Sequence, residues 1–304
     1  MKVDSLNNTK LFRKEDSSVE DYISLLKPRV MVLAIFSSIC GLILAPGNIH
    51  PFLSFVAIIC ISMGAGASGA INMWYDKDID SLMNRTKNRP VPRGAIFSNN
   101  ALGFGVVLGL LSVLLLGLAT NYFAAFLLAS SIIFYILIYT MWLKRRTHHN
   151  IVIGGAAGAF PPVIGWVCVT GELSLYPMLL FLTIFFWTPP HFWALSLYKD
   201  VEYSKANIPM LPVVKGKKET KQQILLYSLI LFFVSLLPYY FGFAEEQFLV
   251  FGIIINLIFL LFSFRILVCD DNSTEKKASE LFKFSILYLY FYFIILVVEK
   301  LAKG

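Results

Sequence analysis

The chain has 304 residues, of which 57% are hydrophobic and only 15% are charged. A soluble domain carries about 25% charged residues, so this sequence has too few polar side chains to cover a water-facing surface, and we expect the bilayer to be its main solvent. The four cysteines are isolated and lack the spacing of a metal site. No polar linker divides the sequence, which predicts one integral membrane domain.

Apolar runs of about 20 residues, long enough to cross a bilayer, recur from residue 25 onward. The polar residues before them, 1–24, carry both charges and no apolar core of a signal peptide, so we predict a cytoplasmic N-terminal segment followed by a single membrane-embedded domain, 25–304. We predict an all-α polytopic membrane protein with nine transmembrane helices, at about 25–46, 51–74, 101–120, 122–142, 151–170, 174–197, 222–243, 246–268 and 279–299.

The basic residues predict the orientation of these spans. Of the 26 Lys and Arg residues, 24 lie in the N-terminal segment, in the loops after the second, fourth, sixth and eighth spans, or within about four residues of the span ends that border them. By the positive-inside rule, that side is cytoplasmic, and so is the N-terminus. The net charge of +7 therefore reflects topology, and we expect no nucleic-acid partner.

The second span ends in a run of acids, "NMWYDKDIDSLMNRTKNRP". Asn72, Asp76 and Asp80 are four residues apart, so a continuing helix places them on one side, whereas Asp78 faces away and is expected to take no part. Like charges at this spacing repel, and hard oxygen ligands suit Mg²⁺ with a substrate phosphate. The alternative is a solvated loop in which the acids balance the bases that follow, namely Arg85, Lys87, Arg89 and Arg93.

The fourth span runs directly into Lys144, Arg145 and Arg146. A basic triplet at this place is most often a plain positive-inside anchor. The polar residues after it, which include Asn150, favour a second interpretation, in which the arginines bind phosphate through planar paired donors.

The sixth span also ends in acids, with Asp200 and Glu202 where Asp76 and Asp80 follow the second span. Two acidic clusters and several basic loops on one side predict a metal-assisted diphosphate site. At the mouth of an apolar helix bundle, the fitting substrate is a prenyl diphosphate, with its head group in the loops and its tail among the helices. Aromatic rings near the acids are candidates to face an allylic cation: Trp74, Tyr75, Tyr139, Trp187 and Trp193.

These blocks resemble a known family. "NMWYDKDIDSLMNRTKNRP" is similar to the NxxxDxxxD motif of the UbiA-type intramembrane prenyltransferases. More narrowly, "LKPRV", "YTMWLKRRTHHNIVIGGAAGAFPPVIGW" and "WTPPHFWALSLYKDVEYSKANIPMLPVVKG" resemble the protohaem IX farnesyltransferases, or haem O synthases. The resemblance covers about residues 25–216 in order, and the last three spans fit only in hydropathy.

The resemblance implies nine helices around a central cavity, with the active-site loops on the cytoplasmic side. It also implies Mg²⁺-dependent transfer of a farnesyl group from farnesyl diphosphate to a vinyl group of haem b, which gives haem O and diphosphate. Haem b is then a substrate and Mg²⁺ the cofactor. Haem A synthase or a terminal oxidase is the partner that the pathway implies, and the bacterial inner membrane is the expected location.

The resemblance also implies roles for individual residues. Asn72, Asp76 and Asp80 would hold Mg²⁺ and diphosphate. The second motif departs from the general DxxxD pattern because position 204 is Ser, so Asp200 and Glu202 supply the acids and which of them binds metal stays open. The residues expected to bind substrate are Arg85, Lys87, Arg89, Tyr139, Lys144, Arg145, Arg146, Asn150 and His191.

His191 follows the pair Pro189–Pro190 inside the sixth span, where an ionisable group is costly and tends to be functional. A neutral imidazole there is a candidate ligand of haem iron. The alternative is a histidine hydrogen-bonded to backbone carbonyls that the prolines leave free.

Two other functions compete with haem farnesylation. One is prenylation of an aromatic acid or quinone precursor, against which the blocks at 139–166 and 187–216 count. The other is a cation-coupled transporter, which would place charges near the middle of the bilayer. Here nearly all the acids lie at the cytoplasmic helix ends, which disfavours transport.

Overall fold

A computed structural model describes residues 17–303, except for the side chains of residues 200–202. Most of the predicted N-terminal segment, residues 1–16, lies outside this range. Within it, all regular elements are helices: α1 Val19–Leu25, α2 Pro28–Leu44, α3 Pro51–Tyr75, α4 Lys77–Leu82, α5 Ser98–Ala119, α6 Tyr122–Ile133 with its continuation Phe134–Leu143, α7 Asn150–Thr170, α8 Leu175–Tyr198, α9 Asp200–Lys205, α10 Leu211–Tyr240, α11 Glu246–Val268 and α12 Asp271–Lys303.

Eight helices of the described chain are long and apolar enough to cross a membrane. The bent pair α1 and α2, which meet at 57°, makes a ninth span if it is counted as one. The sequence predicts the first span at about 25–46; α2 lies within this range, and the short α1 precedes it at an angle. The helix breaks at Leu26 and Lys27, because Lys27 adopts a left-handed backbone (φ 54°) and Pro28 begins α2.

The helices form one bundle in which α8 is central, packed against α7, α10 and α12. The outer helices turn apolar side chains outward: α5 exposes Leu110, Leu114 and Leu118, which are spaced four residues apart. Such a stripe would be unfavourable in water and is expected of a helix that faces lipid. The apolar outer surface of the bundle therefore agrees with the membrane location predicted from the composition.

Neutral hydrogen bonds join the helices of the C-terminal half. Asn256 on α11 donates to the Ser235 hydroxyl of α10 at 2.8 Å and accepts from the Tyr288 hydroxyl of α12 at 3.0 Å. The hydroxyls of Thr183 and Tyr292 are 3.2 Å apart and link α8 to α12. Contacts of this kind satisfy polar groups that lipid cannot.

The segment Phe134–Leu143 continues α6 as a π-helix. Its ladder runs to the backbone N–H of Lys144, which donates to the carbonyl of Tyr139, five residues back, at 2.9 Å. Segments of this kind are rare and occur frequently at functional sites. This one ends where the basic triplet begins.

The predicted site loops converge at one end of the bundle, which we call the basic face. It comprises α4 with the loop 83–97, the loop 144–149, and α9. Tyr203 of α9 belongs to a small buried cluster with Ile79 and Met83 of the first acidic region and Ile151 of α7. The first and second acidic regions are thus packed against each other.

Candidate active site

The junction between α3 and α4 determines the direction of the first acidic motif. The backbone N–H of Asp76 donates to the carbonyl of Asn72 at 2.9 Å, and that of Asp80 donates to the carbonyl of Asp76 at 2.8 Å. The helical path therefore continues through Asp76 and brings the three side chains to one side. They are buried, with 4%, 0% and 3% of the residue exposed, whereas the side chain of Asp78 is 63% exposed.

Each buried carboxylate is paired with a cation from another segment. Lys144, at the end of the π-helical segment, forms an ion pair with Asp76. Arg89 donates to Asp80 at 2.7 Å. Opposite charges this close offset both the desolvation of the carboxylates and the repulsion expected between residues four apart.

Arg145 is held by several partners at once. Its guanidinium donates to both oxygens of Asp78, at 2.8 and 2.7 Å, and to the carbonyl of Tyr75 at 3.0 Å, and it lies 3.5 Å from Asp76. It also stacks 4.8 Å from the centre of the Tyr75 ring. The Arg145 guanidinium lowers the pKa of the Asp78 carboxyl. Asp78 faces away from the buried acids, as predicted, but it orients a basic residue beside them.

Sequence reasoning missed two side chains that contact Asn72. Lys27, at the break between α1 and α2, donates to the Asn72 side-chain oxygen. The Asn72 amide nitrogen donates to Asp76 at 2.8 Å and to the Thr140 hydroxyl at 3.0 Å. The available sequence signal was a lysine directly before a proline at the start of an apolar run.

The other predicted basic residues lie farther out. Arg85, Lys87 and Arg146 are exposed, and Lys87 donates to the side-chain oxygen of Asn84 at 2.9 Å. Three residues of the predicted basic set contact the acids of the first motif directly. They are Arg89, Lys144 and Arg145.

Asn150 and Tyr139 occupy the inner rim of the basic face. Asn150 is buried; its amide nitrogen donates to the carbonyl of Lys144 at 3.4 Å, and its oxygen has no partner among the described residues. The Tyr139 ring lies against Gly154, where an added Cβ would be only 2.2 Å from a ring carbon. A larger residue at 154 would therefore displace Tyr139.

The second acidic motif is described only by its backbone, since the side chains of Asp200 and Glu202 lie outside the described part of the structure. Both belong to α9, which packs beside α4. Among the described residues, no three His, Cys, Asp or Glu side chains form a ready metal cluster. Two buried carboxylates and a side-chain amide are nevertheless the hard oxygen donors that Mg²⁺ prefers, and Mg²⁺ completes its shell with water and phosphate. The donor set fits this ion.

His191 lies inside the bundle, between two aromatic rings. Its imidazole stacks on Trp187 at 4.3 Å and on Phe282 at 4.7 Å between ring centres. Its Nδ1 is 2.6 Å from the Ser285 hydroxyl oxygen of α12. The interpretation that His191 bonds to carbonyls freed by the prolines is therefore wrong, because its partner is a hydroxyl on another helix.

The hydroxyl of Ser285 has a second partner, the carbonyl of Phe282 at 2.7 Å. Because a carbonyl can only accept, we assign the hydroxyl proton to this bond, and the oxygen of Ser285 is then the acceptor for Nδ1–H of His191. We infer the Nδ1–H tautomer, in which Nε2 carries the lone pair. Among the described side chains, none forms a hydrogen bond with Nε2.

Comparison with known proteins assigns the chain to one class. The model of the UbiA prenyltransferase family matches residues 34–287, and the chain belongs to that family. Within it, the sequence is 53% identical over 285 residues to a protein named protoheme IX farnesyltransferase from Parvibaculum lavamentivorans, covering 93% of this chain and 90% of the relative.

Two solved structures share the fold at low sequence identity. A digeranylgeranylglyceryl phosphate synthase superposes with a TM-score of 0.77 at 19% identity, covering 93% of this chain and 98% of that one. A UbiA homolog from Archaeoglobus fulgidus, bound to DMAPP and Mg²⁺, superposes with a TM-score of 0.67 at 16% identity, covering 90% and 99%. Both likenesses extend over nine-tenths of this chain or more.

Proposed function

We propose that this protein transfers the farnesyl group of farnesyl diphosphate to a vinyl group of haem b and thereby forms haem O. The name of the relative that is 53% identical over 93% of the chain supports this acceptor. The observation that carries the proposal is the buried cluster of Asn72, Asp76 and Asp80, surrounded by cations at the mouth of an apolar bundle.

The proposed reaction consumes one water. The bond between the farnesyl carbon and the diphosphate oxygen breaks, and the allylic carbon forms a bond with the terminal vinyl carbon of haem b. Water then adds to the vinyl carbon beside the porphyrin, and a proton is released. The products are haem O, which carries a hydroxyethylfarnesyl group, and diphosphate.

The residues of the basic face would bind and stabilise the leaving diphosphate. Lys144 and Arg89 are fixed in place by Asp76 and Asp80 before substrate arrives, so little reorganisation is needed when negative charge develops. Arg145, oriented by Asp78, adds planar donors at the same rim. Arg85, Lys87 and Arg146 are exposed on the approach to the site, where cations would attract an anionic substrate.

We propose Mg²⁺ as the cofactor, held by Asp76 and Asp80 with Asp200 or Glu202 of the neighbouring α9. When bound, this ion would neutralise charge on the departing diphosphate. Support comes from the donor set described above and from the Archaeoglobus fulgidus homolog, which was solved with DMAPP and Mg²⁺. Asn72 would orient Asp76 through its 2.8 Å hydrogen bond.

We further propose that His191 ligates haem iron through Nε2. The support is the inferred tautomer, since a histidine that binds metal through one nitrogen usually donates its other N–H to an oxygen. Stacking on Trp187 and Phe282 fixes the plane of the ring. Tyr139 and Asn150, on the inner rim, would contact the substrate between the diphosphate and the porphyrin.

The cellular context follows from the same proposal. We propose a single membrane domain from residue 25 onward, with its N-terminus and basic face in the cytoplasm of a bacterium, because the Lys and Arg residues are concentrated on that side. Haem O would pass to haem A synthase or to a terminal oxidase. The chain belongs to a prenyltransferase family, so we prefer prenyl transfer to the alternative of a cation-coupled transporter.

The test is a reconstituted reaction. Purified protein is incubated with haem b, farnesyl diphosphate and Mg²⁺, and the mass of the pigment is followed. We expect the mass to increase by a farnesyl group plus a hydroxyl group, and this increase to disappear with EDTA. Parallel reactions use geranylgeranyl diphosphate as donor and 4-hydroxybenzoate as acceptor. Prenylation of 4-hydroxybenzoate with no change in haem would overturn the proposed acceptor.

A further inference from the structure

Lys27 has an unusual backbone for its position. It adopts φ 54° and ψ 55°, one of two non-glycine residues with positive φ among those described, and it directly precedes Pro28. A residue with a side chain reaches this region only at a cost of about 1–2 kcal/mol, unless the surrounding structure enforces it. Such strain at a lysine requires an explanation from its surroundings.

The surroundings do enforce this conformation. The two residues before Lys27 pack against α3 where it carries two glycines three residues apart. A Cβ added to Gly66 would meet the Leu26 side chain at 2.9 Å, and one added to Gly69 would meet the Leu26 carbonyl at 3.3 Å. The break therefore lies directly on the α3 backbone, about one turn before Asn72.

A second anchor fixes α1 from the other side. Asp21 forms an ion pair with Arg93 of the loop after α4, and the Tyr22 ring contacts Phe104 of α5 edge-on at 5.2 Å. Because α1 is bound to α5 and to the loop as well as to α3, the position of Lys27 is determined by three separate elements.

The ammonium of Lys27 is directed into the acidic cluster. It donates one hydrogen bond to the Asn72 oxygen, and an ammonium has three donors. The described charged side chains around Asn72 are four cations, Lys27, Arg89, Lys144 and Arg145, and three carboxylates, Asp76, Asp78 and Asp80. Ion pairs join Arg89 to Asp80, Lys144 to Asp76 and Arg145 to Asp78. Lys27 is thus the cation in excess, bonded to a neutral amide.

We propose that Lys27 binds the diphosphate of the substrate, and that the strained break between α1 and α2 holds its ammonium in place for this contact. The inference rests on the proposed function and adds a residue that lies outside both acidic motifs. A partly buried excess cation is stabilised by an anion, and a diphosphate supplies charge and acceptors for its hydrogen bonds.

The decisive variant is Lys27→Gly. Glycine adopts positive φ without strain, so the break keeps its geometry while the ammonium is lost. The control is Arg29→Met, which removes an exposed cation two residues away. The measurement is calorimetric titration of the purified full chain with inorganic diphosphate in the presence of Mg²⁺, together with its thermal unfolding temperature.

We expect Lys27→Gly to unfold at or above the temperature of the wild type and to bind diphosphate roughly 10- to 100-fold more weakly, the worth of a hydrogen bond from a charged donor. Arg29→Met should bind as the wild type does. Unchanged affinity in Lys27→Gly overturns the role of Lys27 and leaves the proposed function standing. Failure of the wild type to bind diphosphate overturns both.

Discussion

Two buried polar clusters of the described chain, around Asp76 and around His191, are built differently. Around Asp76, at the basic face, full charges face each other: Lys144 and Arg145 contact the carboxylate, and Arg89 binds the neighbouring Asp80. Around His191, inside the bundle, no charge takes part. A neutral ring lies between Trp187 and Phe282 and makes a single hydrogen bond to Ser285.

The difference follows from what surrounds each cluster. Loops rich in Lys and Arg border the first one, so charge there is compensated by partners distant in sequence. Inside the membrane a charged side chain costs free energy. The polar contact there is made instead by the neutral ring of His191, which has one donor and one acceptor nitrogen. The first cluster is therefore suited to an anion and the second to a neutral ligand interaction such as coordination. The predictions below separate the two, from the largest expected effect to the smallest.

Asp76→Ala should have the largest effect. It removes a proposed metal ligand, and activity should fall roughly 10²- to 10³-fold. It also leaves Lys144 buried without its partner, at a cost of about 3–5 kcal/mol in stability. The double variant Asp76→Ala with Lys144→Met should recover thermal stability but not activity. Recovery of activity in the double variant would show that Asp76 serves only to neutralise Lys144.

His191→Ala should affect only the second cluster. Loss of an iron ligand should weaken haem binding roughly 100-fold and shift the visible spectrum of bound haem. Binding of diphosphate with Mg²⁺ should stay the same, because the Asp76 cluster is untouched. An unchanged haem spectrum would show that His191 only packs in the bundle. The proposed difference in function between the two clusters would then be wrong.

Ser285→Ala tests the tautomer. Without the hydroxyl, Nδ1–H loses its acceptor, and haem affinity should fall roughly tenfold, as it does when partners behind metal-binding histidines are removed. Ser285→Thr keeps a hydroxyl at this position and is the matched control, expected to bind haem close to the wild type. Equal haem affinities and spectra in both variants would contradict the proposed role of Ser285.

Asp78→Asn should have the smallest effect. Its ion pair with Arg145 is largely exposed and worth about 1 kcal/mol or less, and Arg145 keeps its bond to the Tyr75 carbonyl. We expect the KM for farnesyl diphosphate to rise roughly two- to fivefold with the KM for haem unchanged. Steady-state kinetics measure both, with the exposed Lys77→Met as control. A loss as large as that of Asp76→Ala would place Asp78 among the essential acids.

Hydropathy and helical periodicity predict much of this molecule. Long apolar runs specify most of the spans to within a few residues, because a helix needs about 20 apolar residues to cross a bilayer. Two helices begin well before the predicted spans, α10 at Leu211 and α12 at Asp271. The spacing of Asn72, Asp76 and Asp80 predicts their common side, because the helix does continue through Asp76. The exposure of Asp78 follows from the same geometry.

The partners of these residues could not be predicted from the sequence. Thr140 lies 68 positions from Asn72, and Ser285 lies 94 positions from His191, and nothing local in the sequence specifies which distant side chain will arrive. The break at Lys27 was missed for another reason. It depends on Gly66 and Gly69 of a different helix, and hydropathy treats a lysine before a proline as a simple boundary.

The π-helical segment Phe134–Leu143 has a consequence for the evolution of the site. One residue fewer would let this segment close into a regular α-helix, with each residue beyond the change rotated by about 100° around the axis. Thr140 would then no longer meet Asn72, nor Lys144 meet Asp76, although the span would still cross the bilayer. Chain length between 134 and 143 is thus under stricter constraint than the identity of the apolar residues there, and alignments of relatives should show substitutions in this stretch but no gaps.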